Sequence, residues 1–208
     1  MPVRTDPAPQ QRTEPRPGTP RRARRRTAAT VAALLALGLG LASFLGATLT
    51  GGPTEPTAAD GRIPDGETVS PFDDSVPSVS RLDPALLAAL REAASVVEAD
   101  GRPLHVTSGW RSAAYQQWLQ EDALRTYGSA EEAARWVASA ETSAHVTGDA
   151  VDVGPYATAE WLSRHGAPFG LCQVYANEVW HIELRPEAPE DGCPELIPDA
   201  SAAPGAGE

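Results

Sequence analysis

The chain has 208 residues, enough for one domain with appendages, and a formal net charge of −11 that is unevenly spread. Residues 1–26 contain eight arginines and two acidic residues, so this end carries +6 and the rest of the chain carries −17. An acidic body argues against nucleic acid as a partner, because the phosphate backbone needs neutralising cations.

The N-terminal elements predict a membrane attachment. Residues 1–26 are rich in Pro and Arg and are expected to be a disordered cytoplasmic tail. Residues 27–50 contain no charge and directly follow "RRARRR". A helix of that length reaches about 36 Å and can cross a hydrocarbon core of roughly 30 Å. Because positive residues stay inside, everything after Thr50 is predicted to be extracytoplasmic.

A cleaved signal peptide is the alternative for this segment, and it would make the protein secreted rather than anchored in the cell membrane. Residues 51–74, rich in Pro, Gly and Asp, are interpreted as an extracytoplasmic linker. A folded domain is predicted at 75–195, a usual domain size, and a disordered tail at 196–208.

Within the domain, helices dominate the first half and strands the second. Asp83-Pro84 is a typical helix start, and Ser129 with Glu132 forms a possible capping box. Apolar spacing then predicts the following elements. Helices are expected at 84–99, 112–127, 129–138 and 158–165, and strands at 103–109, 149–153, 171–175 and 179–184. This order predicts an α+β fold with a small, mostly antiparallel sheet.

Two cysteines, Cys172 and Cys193, lie in the part of the chain that is predicted to be extracytoplasmic. Cysteines outside the cell commonly form disulfides, whereas a two-cysteine zinc site would show tighter C-x-x-C spacing. A disulfide is therefore predicted, which would tie the acidic C-terminal segment to the domain.

Strand alternation suggests a site around Asp152. Val151 and Val153 would face the core, and Asp152 would point into a cleft on the other face. Gly148 permits a sharp turn that could bring His145 beside Asp152.

A second group, Glu178 and His181, lies in "NEVWHIEL". His, Asp and His around a divalent ion leave one tetrahedral position for water, and a nearby carboxylate can take its proton. Positions 178 and 181 would face opposite sides of a regular strand. Glu178 is therefore expected in the preceding turn or at a bulge near Val179.

Three motifs occur in order: "SGWRSAAYQ" at 108–116, "SAHVTGDAVDV" at 143–153 and "EVWHIEL" at 178–184. Together they resemble the D-alanyl-D-alanine carboxypeptidases of the VanY type over about residues 80–186. The resemblance implies a zinc-peptidase fold, of the Hedgehog/DD-peptidase-like kind, with helices packed on one side of the sheet.

The resemblance also implies the residue roles. His145, Asp152 and His181 would bind one Zn²⁺ per chain, and Glu178 would be the catalytic general base. Arg111 would bind a substrate carboxylate or carbonyl and stabilise negative charge during catalysis. The weaker candidates for substrate contacts are Ser108, Gln116 and Ser143. Trp180 lies next to a proposed ligand, so it could line the cleft and contact substrate or pack in the core. By contrast, Trp136 is expected in the core. Glu183 could support a metal ligand, but an exposed strand face is the favoured expectation.

The expected reaction is release of the terminal D-alanine from peptidoglycan stem peptides by a monomeric enzyme, with a zinc-bound water attacking the peptide carbonyl. Ala144 and Val146 flank His145 where the family often has Glu and Gln, and "WHIEL" is less aromatic than usual. These departures leave an endopeptidase or dipeptidase of the same chemistry as the alternative. A non-catalytic cell-wall-binding domain is the alternative from another class.

Overall fold

The computed structural model describes residues 54–205. The predicted cytoplasmic tail at 1–26 and the predicted anchor at 27–50 lie outside this range. Within 54–205, no helix combines the length and the apolar character that crossing a bilayer requires. The anchor therefore stays a prediction.

A four-stranded antiparallel sheet with the strand order β1-β2-β4-β3 forms the centre of the domain. The strands are β1 (His105–Ser108), β2 (Ala150–Gly154), β3 (Leu171–Gln173) and β4 (His181–Leu184). The α-helices are α1 (Pro77–Ser80), α2 (Pro84–Ala99), α3 (Ala113–Tyr127), α4 (Ala130–Ala134), α5 (Ala144–Thr147), α6 (Tyr156–His165) and α7 (Ala188–Asp191). Short 3₁₀ turns occur at Ala58–Asp60, Ala167–Phe169 and Ala200–Ala202.

One face of the sheet carries the hydrophobic core. Val151 and Ile182, which pair across β2 and β4, are fully buried against Leu86 and Leu90 of α2 and Leu162 of α6. Full burial of such a side chain stabilises the fold by about 1.5–3 kcal/mol. The predicted α+β fold with helices on one side is confirmed, and the opposite face of β2 and β4 is left for polar residues.

The predicted helix caps are largely confirmed. Asp83 begins α2 by accepting hydrogen bonds from the backbone N–H groups of Ala85 and Leu86 at 2.8 and 3.1 Å. Ser112 caps the start of α3, and Gly128, in the left-handed conformation, ends it. These caps satisfy N–H and C=O groups that a helix end leaves without partners.

The predicted helix at 129–138 is wrong in length, because α4 ends at Ala134. Two carbonyls beyond this point accept hydrogen bonds from other parts of the fold. The Arg135 carbonyl accepts from Asn177 Nδ2 at 3.1 Å, and the Ala138 carbonyl accepts from Gln116 Nε2 at 2.8 Å. These tertiary partners replace the helical hydrogen bonds that local sequence favours.

Part of the expected linker at 51–74 belongs to the folded domain. Ile63 is buried in the core, and Val69 pairs with Val106 of β1. The Asp60 carboxylate accepts a hydrogen bond from the Ser112 hydroxyl at 3.0 Å. The packed chain therefore begins well before residue 75.

The expectation of an unstructured tail at 196–208 is also wrong for residues 196–205. Ile197 pairs with Tyr175, while Asp199 and Ala200 are buried. The predicted disulfide is confirmed: Cys172 of β3 is bonded to Cys193, with a Cα–Cα distance of 5.6 Å. The abundance of Ala, Pro and Gly suggested disorder, but these long-range contacts order the segment.

Gly148 ends α5 with φ of +86°, and a Cβ there would lie 2.6 Å from the Arg81 carbonyl oxygen. Replacing Gly148 with Ala is expected to destabilise the protein by about 1–3 kcal/mol, because backbone strain and a steric clash act together. Urea unfolding in the presence of a chelator measures this loss without a contribution from metal. Gly101→Ala is the matched control, since Gly101 has φ of +73° but nothing within 4 Å of the position that an added methyl group would take. Equal losses for the two variants would contradict the clash.

Candidate metal centre

Three side chains from distant parts of the chain converge on the polar face of the sheet. His145 Nε2 lies 3.2 Å from His181 Nδ1, and each nitrogen lies 3.3 Å from Asp152 Oδ1. All three residues are buried. These residues, His145, Asp152 and His181, are called the metal centre below.

The spacing fits a tetrahedral zinc ion. Bonds of about 2.0–2.1 Å at tetrahedral angles place ligand atoms about 3.3 Å apart. Asp152 Oδ1 is buried and has no hydrogen-bond partner among residues 54–205. A carboxylate oxygen left in this state is costly unless a cation lies beside it. The donor set and the spacing therefore both match Zn²⁺.

The imidazole of His145 is held in the tautomer that a metal needs. Its Nδ1–H donates to the Gly109 carbonyl at 2.8 Å, so the Nε2 lone pair faces the other two ligand atoms. The His145 carbonyl in turn accepts from the Arg111 backbone N–H at 3.0 Å. The turn after α5 brings His145 beside β2, as the sequence predicted. Burial lowers the pKa of His145, which favours the neutral imidazole that binds a metal.

His181 is oriented by Glu183, which sequence reasoning placed on an exposed face. That expectation is wrong, because Glu183 is only 9% exposed. The Nε2–H of His181 donates to Glu183 Oε1 at 3.2 Å, and Arg185 Nη2 donates to Glu183 Oε2 at 2.7 Å. Such carboxylate partners fix the ring of a metal-binding histidine. The i, i+2 spacing, which puts both residues on one strand face, could have indicated this role.

The charges around the metal centre are strongly coupled. Burial alone would raise the pKa of Asp152, but His145, His181 and Arg111 hold this pKa well below its usual range. Burial alone would likewise lower the pKa of His181, whereas Asp152 and Glu183 raise it to about 9. Metal binding needs the neutral imidazole, so it displaces a proton from His181.

Arg111 is bound to the metal centre through Asp152. Its Nη2 donates to Asp152 Oδ2 at 2.9 Å, which leaves Oδ1 directed at the two histidines. Its Nε and Nη1 donate to Ser108 Oγ at 2.8 Å and to Gln116 Oε1 at 3.1 Å. Ser108 and Gln116 therefore hold Arg111 in place, and their direct contacts with substrate stay predictions.

Glu178 lies in the turn between β3 and β4, as its spacing from His181 predicted. It is 8% exposed and lines the same cleft as the metal centre. Burial, and then the negative charge of Asp152, raise the pKa of Glu178 to about 7. A carboxyl group with this pKa can both accept and donate a proton near neutral pH.

The cleft has a volume of about 290 Å³. Ser143 and Trp180 line it together with the metal centre, whereas Ser108 does not line it. Trp136 also lines the cleft, so the expectation that it is a core residue is wrong. Its side chain is 40% exposed and stacks on Tyr127, with ring centroids 6.1 Å apart.

One family model matches the part of the chain that contains the metal centre. The family model described as VanY, D-alanyl-D-alanine carboxypeptidase, matches residues 79–187, which contain all three ligands and Glu178. No curated protein matches the chain.

Several solved structures are similar to part of the chain. A mutant of the vancomycin-resistance D,D-pentapeptidase VanY from a VanB-type cassette, in complex with Zn(II), is 25% identical over 50% of this chain and 72% of its own, with a TM-score of 0.46. VanYB in complex with D-alanine-D-alanine is 24% identical over 59% and 80%, with a TM-score of 0.48. The L,D-carboxypeptidase DacB from Streptococcus pneumoniae is 28% identical over 53% and 71%, with a TM-score of 0.46.

Glu183→Gln is expected to weaken zinc binding by about 10–100-fold, because the neutral amide is a poorer acceptor for the His181 Nε2–H. Competition with a fluorescent zinc chelator measures the affinity. Glu190→Gln, on the exposed surface of α7, is the matched control and should bind zinc like the wild type. Equal affinity of all three proteins would show that Glu183 does not support the ligand.

Glu178→Gln is expected to stabilise the zinc-free protein at pH 8. The folded state raises the pKa of Glu178 to about 7, so the folded protein binds this proton more tightly than the unfolded chain does. The stability that the protonated carboxyl group contributes is fully present below the pKa of the unfolded chain and is lost as the pH rises through 7. Thermal unfolding in chelator at pH 5 and pH 8 tests the sign. The variant should gain over the wild type at pH 8, and this gain should shrink towards pH 5. A gain that does not depend on pH would contradict the raised pKa.

Proposed function

Because this chain belongs to the VanY family of D-alanyl-D-alanine carboxypeptidases, we propose that it releases the terminal D-alanine from peptidoglycan stem peptides by zinc-dependent hydrolysis. One observation carries this proposal. Two imidazole nitrogens and one carboxylate oxygen lie within 3.3 Å of one another, in a cleft that Glu178 also lines. Family membership makes the chain a peptidase, and the bond that it cleaves is the proposed part.

The metal centre and Glu178 divide the chemistry between them. Zinc, when bound, polarises a carbonyl and lowers the pKa of a water molecule to about 7. The Glu178 carboxylate takes a proton from the attacking water and returns it to the nitrogen of the leaving D-alanine. Its buried position in the cleft keeps bulk water from competing for that proton.

Arg111 favours a substrate that ends in a free carboxylate. It is the only arginine that lines the cleft in the described chain, and three of its five N–H donors are engaged by Asp152, Ser108 and Gln116. The two remaining donors are available to an anionic group. A terminal carboxylate matches the charge and the planar fork of a guanidinium, whereas the middle of a peptide does not. This supports a carboxypeptidase over an endopeptidase.

The proposed location is extracytoplasmic, with the domain attached to the cell membrane through residues 27–50. The uncharged segment after "RRARRR" supports an anchor with its N-terminus inside. The disulfide between Cys172 and Cys193 supports an oxidising compartment, because cytosolic thiols are usually kept reduced. Peptidoglycan is found in that compartment.

The full-length chain in detergent is expected to remove one alanine from a muramyl pentapeptide ending in D-Ala-D-Ala. Mass spectrometry identifies the products, and a zinc chelator should abolish the reaction. Glu178→Gln should lower kcat by about 10²–10⁴-fold with an unchanged zinc content, because only the proton transfer is lost. Glu187→Gln, an exposed residue, is the matched control and should keep full activity.

The products distinguish the proposal from its alternatives. Cleavage inside the peptide would identify an endopeptidase or dipeptidase. A tetrapeptide that ends in a single D-alanine is tested in parallel. Release of that D-alanine would identify an L,D-carboxypeptidase. Full activity of Glu178→Gln would refute the assigned base, and binding of all peptides without hydrolysis would identify a binding domain.

A further inference from the structure

Residues 193–202, called the C-terminal strap below, pack beside the loop that carries Glu178. The strap follows the region that the family model matches, which ends at residue 187. It contributes Ala200 to the wall of the cleft, where Ala200 is only 3% exposed. A segment outside the shared family region therefore forms part of the site.

The strap is attached to the β3–β4 connection by backbone pairing and by the disulfide. The Ile197 N–H donates to the Val174 carbonyl at 3.0 Å, and the Ala176 N–H donates to the Ile197 carbonyl at 2.8 Å. Cys172, which lies in β3 two residues before this connection begins, is bonded to Cys193, the first residue of the strap. The strap therefore runs along the connection up to two residues before Glu178.

A third attachment joins the strap to the chain after α4. Arg135 Nε donates to Asp199 Oδ2 at 2.9 Å, and Asp199 is 6% exposed. The Arg135 carbonyl accepts from Asn177 Nδ2 at 3.1 Å, and Asn177 directly precedes Glu178. Arg135 thus contacts both the strap and the Glu178 loop, and its neighbour Trp136 lines the cleft.

Glu178 has few local contacts that could fix it without these attachments. Its backbone N–H donates to the Tyr175 carbonyl at 3.3 Å, and its carbonyl accepts from the His181 N–H at 3.2 Å, both within one turn. Val179 and Trp180, which follow Glu178, pack against the core, so the side of the loop that precedes Glu178 is the one that lacks local support. A shift of about 1 Å at a catalytic group can cost 10²-fold in rate. The metal ligands on β2 and β4, by contrast, are held by the sheet.

We propose that the C-terminal strap positions Glu178, with Asp199, Arg135 and the disulfide as the features that hold it. Loss of any of them shifts the Glu178 loop and lowers turnover, while the metal centre keeps its zinc. The enzyme then works at full rate only with the disulfide formed, which is the state favoured outside the cell. This inference rests on the proposed role of Glu178 as general base.

The kinetic test uses Asp199→Asn and the double variant Cys172→Ser with Cys193→Ser, in the full-length chain. Both are expected to lower kcat by about tenfold or more, with KM changed by less than about twofold and zinc content unchanged. The matched control is Glu132→Gln: Glu132 also pairs with Arg135, at 3.3 Å, but it is exposed and lies outside the strap. A wild-type kcat in either strap variant, or an equal loss in the control, overturns the proposal.

Hydrogen exchange tests the positioning without any substrate. The amides of Ala176 and Glu178 should exchange about tenfold faster in the strap variants, while the amide of Val151 in the sheet stays protected. Unchanged exchange at Ala176 and Glu178, or equal acceleration at Val151, overturns the inference. If the wild type hydrolyses no peptide, the proposed function fails, and the exchange result still decides whether the strap holds the loop.

Discussion

The pairing of Asp152 with His181 across β2 and β4 is the constraint on which the site depends. The same register places Val151 opposite Ile182 on the other face, where both are fully buried. Because side chains alternate along a strand, a slip of one residue would exchange the two faces and move the ligands into the core. The burial of Val151 and Ile182 on one face of the sheet therefore fixes the positions of Asp152 and His181 on the other face. His145 completes the centre from α5, where its Nδ1–H donates to the Gly109 carbonyl.

A shared carboxylate explains how so many charged groups are tolerated together. Asp152 directs one oxygen at Arg111 and leaves the other between two imidazoles, and Glu183 links His181 to Arg185. Each buried charge thus has an oppositely charged partner, which offsets the cost of removing it from water. Glu178 is the exception, since it is buried with negative neighbours, and its pKa rises for that reason. The same arrangement keeps the Asp152 carboxylate ionised and raises the pKa of Glu178 to about 7.

The sequence predicted the parts of the fold that depend on neighbouring residues. The Asp83 cap, the alternation through Val151 and Val153 and the displacement of Glu178 from its strand all follow from local rules. Strand alternation and the Gly148 turn suggested His145 and Asp152 as neighbours, and the three ordered motifs then implied the complete His-Asp-His set. The early end of α4 and the ordering of residues 196–205 depend on partners far along the chain, so no local pattern indicated them. Glu183 and Trp136 were misplaced for the related reason that burial depends on which distant parts of the fold pack against a side chain.

Asp152 and His181 lie in the sheet, whereas Glu178 lies in a loop. The loop is therefore the part of the site that is most easily displaced. Strands of three to five residues supply few hydrogen bonds, yet they hold two ligands because their other face is packed. A general base cannot occupy the same strand face as His181 at this spacing, so it must lie in a connecting turn. The residues after Glu178, Val179 and Trp180, pack against the core, whereas the residues before it are covered by another segment. Here the cover is the chain's own C-terminal strap, joined by a covalent bond and an ion pair. Variation in this segment can therefore change catalysis without altering any residue of the metal centre.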